Sequence, residues 1–215
     1  MQTELKTAVS LAARTGRHLQ RYDNGRRQVV GCVPYRYKDS GETSSLMAED
    51  AFEVLVISPQ RKSKGMLFPK GGWETDETIE AAALRETVEE AGVLGEIECK
   101  LGTWSFETKN GENSCEGHMF PLLVKEQLDC WPEKEIRQRH WMSVREARKV
   151  CKQWWMKEAL EAMVGHVTKQ KNAGLLSAIG LSQPTLFSIR CGAQILPPPT
   201  MASAEEAYRL QDRRS

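Results

Sequence analysis

A glycine turn followed by one helix carrying three carboxylates on the same side is the most constraining feature of this sequence. The turn is Gly71-Gly72, and the segment from Glu77 to Ala91 has the apolar spacing of an amphipathic helix. At about 100° per residue, the three carboxylates fall within an arc of roughly 100°. They belong to Glu86, Glu89 and Glu90. Like charges this close repel one another unless cations lie between them, so the pattern predicts a site for a hard divalent cation, Mg²⁺ or Mn²⁺.

The same segment matches the signature of the Nudix hydrolases: Gly, five residues, Glu, seven residues, then Arg-Glu-apolar-x-Glu-Glu-x-Gly-apolar. The matching positions are Gly71, Glu77, Arg85, Glu86, Glu89, Glu90, Gly92 and Val93. Thr87 departs from the signature, which usually has an aliphatic residue there, and we expect this to cost packing rather than chemistry. The chain therefore resembles the Nudix hydrolases. The resemblance implies an α/β (α+β) fold, an α/β/α sandwich with a mixed sheet and the signature helix packed against it.

The resemblance also implies roles for the signature residues. Glu86 and Glu90 are expected to be metal ligands, and Glu89 either a further ligand or the general base that takes the proton of the attacking water. The backbone carbonyl of Lys70 is expected to complete the coordination shell. Members of the family differ in which carboxylate acts as the base, so three carboxylates in a later segment stay open as alternatives. They are Glu107, Glu112 and Glu116.

Arg85 and the two glycines are predicted to support this chemistry. Arg85 lies four residues before Glu89, a spacing at which a guanidinium can hold a carboxylate on the same helix face. Glu86, Glu89 and Arg85 are thus the predicted catalytic residues. Gly71 and Gly72 are best explained as backbone positions that a Cβ would obstruct.

Periodicity and turn residues divide the chain into a domain with two flanking segments. Residues 1–24 form a basic N-terminal extension, residues 25–165 the domain, and residues 166–215, with three consecutive prolines, a mostly flexible tail. Strands are predicted at 28–37, 52–57, 97–108, 118–125 and 136–142. Ser143 with Glu146 has the capping-box pattern at the start of a long helix through about Met163.

Composition excludes some classes of protein. A net charge of +1 over 215 residues argues against binding nucleic acid through bulk charge. The six cysteines lack metal-ligand spacing, which favours reduced thiols, and no apolar run is long enough to cross a bilayer. Cytosol or nucleus is the predicted location. Mitochondrion or plastid remains the alternative, because the first 21 residues carry several basic residues and a single acidic one.

Basic residues cluster before the first strand, before the signature and on the last short strand. They are Arg14, Arg17, Arg21, Arg26, Arg27, Arg61, Lys62, Lys64, Arg137, Arg139 and His140. If the sheet brings these segments around the metal site, they form an arginine-rich bowl for a ligand with several phosphates. Ordinary surface charge is the alternative interpretation.

The stretches at 14–25, 68–74, 131–133 and 137–160 resemble a plant Nudix group that is similar to the diphosphoinositol polyphosphate phosphohydrolases. Some of those enzymes also cleave diadenosine polyphosphates. The likeness implies substrate contacts from Arg21, Arg27, Arg61 and Arg137. Arg139 is added as a member of the bowl, and residues 70–72 are added as backbone positions of the turn. The predicted substrate-binding residues are Arg21, Arg27, Arg61, Lys70, Gly71, Gly72, Arg137 and Arg139. A lysine that the animal enzymes carry on the last helix is replaced around Trp155.

The predicted activity is Mg²⁺-dependent removal of the β-phosphate of a diphosphoinositol polyphosphate. The alternative is hydrolysis of a diadenosine polyphosphate, ADP-ribose or a nucleotide sugar, with Trp73, Trp104 or Tyr35 as a stacking surface. A non-catalytic phosphate sensor is a third interpretation, which the intact signature disfavours. The expected partner is a small polyphosphorylated molecule, with neither nucleic acid nor membrane; the oligomeric state stays open, with a monomer as the expectation.

Overall fold

The computed structural model describes residues 13, 14, 16, 18–38, 48–60, 65–108 and 114–178, with side chains to residue 171. The strands are β1 (Tyr22–Asp23), β2 (Arg26–Tyr37), β3 (Phe52–Ile57), β4 (Lys70–Gly72), β5 (Val93–Ile97), β6 (Gly102–Glu107), β7 (Ser114–Gln127) and β8 (Arg139–Ser143). The α-helices are α1 (Ile79–Ala91), α2 (Val144–Val150) and α3 (Trp154–Ala178), and a 3₁₀ turn spans Ala48–Ala51.

The strands form one mixed sheet in the order β5-β7-β2-β3-β8. Its centre is the parallel pair β2 and β7, in register from Arg27 opposite Cys115 to Tyr35 opposite Leu123. The other pairings are antiparallel, including β4 and β1 against β2 and β6 against β7. β2 is long enough to pair with four strands, β1, β3, β4 and β7, which explains how the short strand β4 reaches the centre of the domain.

Helices cover both faces of the sheet. On one face α1 packs through alanines against Val30, Cys32, Leu55 and Phe120. On the other face α2 and α3 enclose a larger core that includes Tyr35, Phe52 and Met119. Two apolar faces that must both be buried give three layers. The predicted α/β/α sandwich with a mixed sheet is confirmed.

Helix α1 ends at Ala91 as the sequence predicts, and it begins at Ile79, two residues later than predicted. The Thr78 hydroxyl accepts the amide N–H of Ala81 at 3.2 Å, and Gly92 adopts a left-handed φ of 61° with its N–H donated to the Val88 carbonyl. A Cβ at Gly92 would lie 2.6 Å from the Trp131 ring. Thr87 is fully buried, and its hydroxyl donates to the Ala83 carbonyl at 2.8 Å, so it leaves no unpaired polar group in the core.

The single helix predicted from Ser143 is two helices. The capping box is present: the hydroxyl of Ser143 accepts the backbone N–H of Glu146, and the carboxylate of Glu146 accepts the backbone N–H of Ser143. The helix nevertheless ends at Val150, because the Val150 carbonyl accepts the amide of Met66 at 3.0 Å and Cys151 adopts an extended conformation. The chain then restarts as α3 at Trp154, which places that tryptophan at the start of a helix.

Helix α3 continues past the predicted domain boundary at residue 165, and the first compact unit of the chain ends at Leu175. Val167 is buried in the core beneath the sheet. His166 and Gln170 both contact the Glu98 carboxylate at 2.5 Å, and Tyr35 donates to its other oxygen. Burial raises the pKa of Glu98, but these hydrogen bonds outweigh it and hold the pKa below its usual range. The predicted tail beyond residue 178 lies outside the described residues.

We predict that truncation after residue 165 lowers the free energy of unfolding by about 2–4 kcal/mol, from one lost apolar side chain and two lost hydrogen bonds. Truncation after residue 178 keeps all of these contacts and is the matched control. Denaturant unfolding of both truncated proteins checks the difference. Equal stability of the two would show that Val167 and its neighbours do not anchor the helix.

The Glu98 contacts predict a pH dependence of stability. Because the pKa of Glu98 is lower in the folded state than its usual value of about 4.5, the ionised carboxylate stabilises the fold above that pH. The stabilisation is lost as pH falls through the folded-state pKa. The difference in melting temperature between wild type and Glu98→Gln should therefore be largest near neutral pH and shrink below about pH 4.5. Glu96→Gln, at an exposed carboxylate on β5, should show no such trend; a Glu98→Gln difference that stays constant from pH 7 to 3 would contradict the prediction.

Candidate active site

Strand β4 brings the glycine turn against the carboxylates of α1. Its three residues pair with Val29, Val30 and Gly31 of β2, which fixes the position of the backbone. A Cβ on Gly71 would lie 1.9 Å from a carboxylate oxygen of Glu86, and one on Gly72 would lie 1.8 Å from the side chain of Gln20. Both glycines are therefore required by close approach, as the sequence predicts, and Gly71 is required by the carboxylate itself.

Arg85 is the main organiser of the turn. Its guanidinium donates twice to Glu77, at 2.6 and 3.0 Å, and also to Glu86 at 2.8 Å and to the Gly72 carbonyl at 2.9 Å. Glu89, the partner predicted from the spacing of four residues, lies farther away at 3.5 Å. Arg85 thus holds the loop before α1 onto the helix, with Glu89 as its weakest carboxylate contact.

Each carboxylate of the signature has a cationic or N–H partner. Glu86 accepts from Arg85, and Glu89 accepts the backbone N–H of Arg14 at 3.4 Å. Glu90 accepts the backbone N–H of Lys70 at 2.8 Å through one oxygen and the guanidinium of Arg137 through the other. The sequence predicts that cations must lie between these carboxylates to reduce their mutual repulsion. In the structure, arginines from separate parts of the chain already reduce it.

Burial dominates the electrostatics of the three carboxylates. It raises the pKa of Glu86 to about 7, against the opposing effect of Arg85 and with a further contribution from the two neighbouring carboxylates. Burial also raises the pKa of Glu89 and of Glu90, although arginines and the charge of Lys70 act in the other direction. Ionising these groups together is costly, and a bound divalent cation would offset that cost.

The residues fit a hard cation by donor type. Glu86 and Glu90 line the cavity with carboxylate oxygens, the ligands that Mg²⁺ and Mn²⁺ take in proteins. As they stand, however, these carboxylates turn toward arginines. Within the part of the chain that the structure describes, no three acidic, histidine or cysteine side chains gather closely enough to hold an ion. Glu86, Glu89, Glu90 and the Lys70 carbonyl remain predicted ligands.

A cavity of about 740 Å³ opens beside these carboxylates. Its lining divides by chemistry into acidic, basic and aromatic groups. The acidic residues are Glu74, Glu86, Glu90 and Glu107; the basic residues are Arg14, Arg27, Lys70, Arg137 and Lys152; the aromatic residues are Phe106, Trp154 and Trp155. A cavity of this size, with carboxylates in its lining and cations beside them, suits a small anionic ligand.

The structure brings some of the predicted basic residues to this cavity. Arg27 lines it and donates to the side chain of Gln20 at 2.7 Å, and Lys70 lines it beside the turn. Arg137 also lines it but is 7% exposed, with its donors occupied by Glu133, the Ser58 carbonyl and Glu90. Arg137 therefore holds a signature carboxylate in this structure, and its contact with substrate stays a prediction.

Two other predicted substrate contacts lie away from the cavity lining. Arg139 donates to the carbonyls of Ala91, Gly92 and Leu128 and stacks on Trp131 with 4.0 Å between guanidinium carbon and ring centroid. It therefore caps the C-terminal end of α1 in this structure, and its role as a substrate-binding residue stays a prediction.

Arg21 lies over the Trp73 ring at 4.2 Å and donates to the Thr75 carbonyl, so it covers the outside of the turn. It too is absent from the cavity lining. Several other members of the predicted bowl fall outside the described residues, as does one alternative base. They are Arg17, Arg61, Lys62, Lys64 and Glu112.

The aromatic residues at the cavity differ from those predicted. Tyr35 is buried against Glu98, Trp104 donates to Glu158, and Trp73 is covered by Arg21, so none of the three lines the cavity. Trp155 instead stacks on Phe106 with ring centroids 4.5 Å apart and planes 9° apart. Trp154 precedes it, lines the same cavity and is 54% exposed. We call Phe106, Trp154 and Trp155 the aromatic wall of the cavity. The two tryptophans reach it because the chain breaks between α2 and α3, and the sequence predicted a single helix there.

Several residues at the site have no assigned role in the sequence analysis. Glu74, Gln20 and Lys152 line the cavity. Lys152 lies two residues before α3 and supplies a cation near Trp155, around which the lysine of the animal enzymes is replaced. Arg14 was placed in the bowl only as one basic residue among many. No spacing rule relates Gln20 to Gly72 or Arg14 to Glu74, because these contacts join parts of the chain more than 50 residues apart.

Comparison with known proteins agrees with the fold and the signature. The NUDIX domain family model matches residues 25–163. Nudix hydrolase 4 of Arabidopsis thaliana is 57% identical over 162 residues, covering 75% of this chain and 77% of its own length. Nudix hydrolase 17, mitochondrial, of the same plant is 56% identical, covering 76% of this chain and 88% of its own length.

More distant matches carry substrate names. Diphosphoinositol polyphosphate phosphohydrolase 3-alpha of Mus musculus is 32% identical over 119 residues, covering 54% of this chain and 71% of its own length. A crystal structure of a C. elegans Ap4A hydrolase binary complex is 23% identical, covers 68% of this chain and 98% of that chain, and aligns with a TM-score of 0.49. The family model and the plant relatives together give the conclusion: this chain belongs to the Nudix hydrolase family, which acts on phosphoanhydride bonds of small molecules and generally uses divalent metal ions such as Mg²⁺.

Proposed function

We propose that this protein removes the β-phosphate of diphosphoinositol polyphosphates in a Mg²⁺- or Mn²⁺-dependent reaction, giving an inositol polyphosphate and orthophosphate. One observation carries the proposal: the signature carboxylates Glu86 and Glu90 line the same cavity as three cations. These cations are Arg27, Lys70 and Lys152. A ligand rich in phosphate suits cations on several sides of one cavity.

The proposed roles follow from the contacts. Glu86 and Glu90, with the Lys70 carbonyl, would hold the divalent cation, which when bound offsets charge on the phosphate oxygens and lowers the pKa of a bound water. Glu89 would take the proton of the attacking water or act as a further ligand. Arg85 would act indirectly, because its N–H groups donate to Glu86 and to the Gly72 carbonyl and hold both in place.

The substrate class rests on charge and on one relative. Arg27 on β2 and Lys152 in the connection between α2 and α3 both line the cavity, so more than one phosphate of a compact ring could be held at once. The mouse relative is named a diphosphoinositol polyphosphate phosphohydrolase, and it is 32% identical to this chain over 119 residues. Arg61, predicted from the same resemblance, stays a prediction.

A second candidate function is hydrolysis of a diadenosine polyphosphate, and the aromatic wall favours it. A nucleobase gains about 1–3 kcal/mol from stacking on an aromatic side chain. Trp154 is the exposed ring among the three aromatic residues of the cavity lining, and Phe106 and Trp155 stack on each other in the same lining. An inositol ring has no planar face to use this surface, so the two substrate classes make opposite demands on Trp154.

The cellular location is the remaining part of the proposal. Three relatives at 56–57% identity are named as mitochondrial or chloroplastic proteins. Their names support the organellar alternative over the cytosolic or nuclear location predicted first. None of the described helices is long and apolar enough to cross a membrane.

Glu89→Gln should lower the turnover number by at least ~100-fold, because the amide cannot accept the proton of the attacking water. Glu80→Gln makes the same chemical change at an exposed position of α1 and is the matched control. Orthophosphate release with Mg²⁺, together with thermal unfolding, checks the prediction. Turnover of Glu89→Gln within a few-fold of Glu80→Gln would remove Glu89 from the mechanism.

The substrate class can be tested with a panel of a pyrophosphorylated inositol phosphate, diadenosine tetraphosphate, diadenosine hexaphosphate and ADP-ribose, each with and without Mg²⁺. The first proposal expects the highest kcat/KM on the inositol compound and a loss of about 10-fold or more in Arg27→Ala, since a bidentate phosphate contact is worth about 1.5–3 kcal/mol. A wild-type preference for a dinucleotide would overturn it.

Trp154→Ala separates the two candidates within the same panel. If a nucleobase stacks on this ring, the variant should lose about 5- to 150-fold in kcat/KM on dinucleotides and little on the inositol compound. Tyr37→Ala removes another exposed aromatic ring, 45% exposed, outside the cavity lining, and is the control. Equal, small losses in both variants would exclude Trp154 as a stacking surface.

A further inference from the structure

The described part of the N-terminal segment, residues 13, 14, 16 and 18–21, is attached to the signature turn. Arg21 donates its backbone N–H to the Trp73 carbonyl at 2.8 Å, and Thr75 donates its own to the Leu19 carbonyl at 2.9 Å. Gln20 forms an isolated bridge with Glu74, and its side chain fills the space beside Gly72. The family model begins at residue 25, so these contacts come from outside the matched domain.

Arg14 contacts the acidic loop before α1 through its side chain. Its guanidinium lies 2.6 Å from Glu74 and 3.0 Å from Asp76, both in the loop between Gly72 and α1. Glu74 is only 7% exposed and lines the cavity, and the guanidinium of Arg14 is the cation paired with it in the described part of the chain. A buried carboxylate without a cationic partner is unfavourable, so the pair gives Arg14 a defined position.

That position places the Arg14 backbone against the reaction centre. The backbone N–H of Arg14 points to Glu89 Oε1 at 3.4 Å, while Arg85 lies 3.5 Å from the same oxygen. Glu89 is thus held from both sides, by the N-terminal segment and by its own helix. Neither contact alone is short, so the orientation of the carboxylate depends on both.

We propose that Arg14 is a positioning residue for Glu89, which it orients through its backbone N–H while its guanidinium is anchored on Glu74 and Asp76. The proposal rests on the function proposed above for Glu89. It assigns the N-terminal segment to the active site, and the anchored side chain is what keeps the backbone in place. Small displacements of a catalytic group lower the rate steeply, by up to about 100-fold for 1 Å.

The sign of the effect on metal binding distinguishes positioning from general damage to the site. Arg14 is a positive charge among the carboxylates, so removing it should leave cation affinity unchanged or raise it. Damage to the carboxylate cluster would lower the affinity. A direct phosphate contact by the Arg14 side chain would instead raise KM with little change in kcat.

The experiment compares full-length wild type, Arg14→Ala, Arg14→Lys and Arg36→Ala. Arg36 is the matched control, because it is a similarly exposed arginine that pairs with Glu53 and stacks on Trp141 away from the cavity. The measurements are kcat and KM for Mg²⁺-dependent orthophosphate release, Mn²⁺ binding by electron paramagnetic resonance, and amide hydrogen exchange over residues 13–21.

We expect Arg14→Ala to lose about 10-fold or more in kcat with KM nearly unchanged, to bind Mn²⁺ at least as tightly as wild type, and to exchange faster over residues 13–21. Arg14→Lys should recover part of the rate, because one ammonium can still reach Glu74. Arg36→Ala should match wild type in all three measurements.

The proposal is overturned by a kcat equal to that of Arg36→Ala, by a change in KM alone, or by weaker Mn²⁺ binding. A wild type that releases no phosphate from any substrate would instead refute the proposed function. The anchoring of Arg14 would then be judged by hydrogen exchange, and equal exchange in Arg14→Ala and Arg36→Ala would overturn it.

Discussion

The burial of three carboxylates on one side of α1 is the constraint on which the rest of this structure depends. Glu89 and Glu90 are 7% and 6% exposed, and a carboxylate at that depth is stable only with a partner. The fold supplies those partners from three separate parts of the chain: Arg14 before the first strand, Arg85 on the helix itself and Arg137 before β8. The pairing decides where these arginines lie, and thereby how the surrounding segments pack.

This constraint changes which cations are available to a ligand. The sequence places many arginines near the signature, and counting them suggested a bowl made mainly of arginine. In the structure Arg137 is committed to Glu90, and Arg139 caps the end of α1. The remaining cavity cations include Arg27, Lys70 and Lys152. A charge in the sequence is therefore a candidate for ligand binding only after the buried carboxylates have been given their partners.

Local patterns predicted the fold and the signature well. The sequence predicted helix α1, its end before Gly92 and the capping box at Ser143, because these features depend on residues a few positions apart. The N-cap at Thr78 was not predicted. The short strand β4 and the break after Val150 were missed, since each depends on pairing with distant segments. The same limit applies to the site: the carboxylates and Arg85 on their own helix could be predicted, and the partners Arg14 and Arg137 from distant segments could not.

The arginine partners also bear on how the protein depends on its metal. In a structural zinc site, binding of the ion supplies the folding energy, and the site does not form without it. Here α1 has caps at both ends, and a buried Thr87 satisfied by the Ala83 carbonyl. Its acidic side is neutralised by guanidinium groups that belong to the fold. A divalent cation bound at the predicted ligand Glu86 would therefore compete with Arg85 for that carboxylate, and it would serve the proposed reaction without being needed to hold the helix in place.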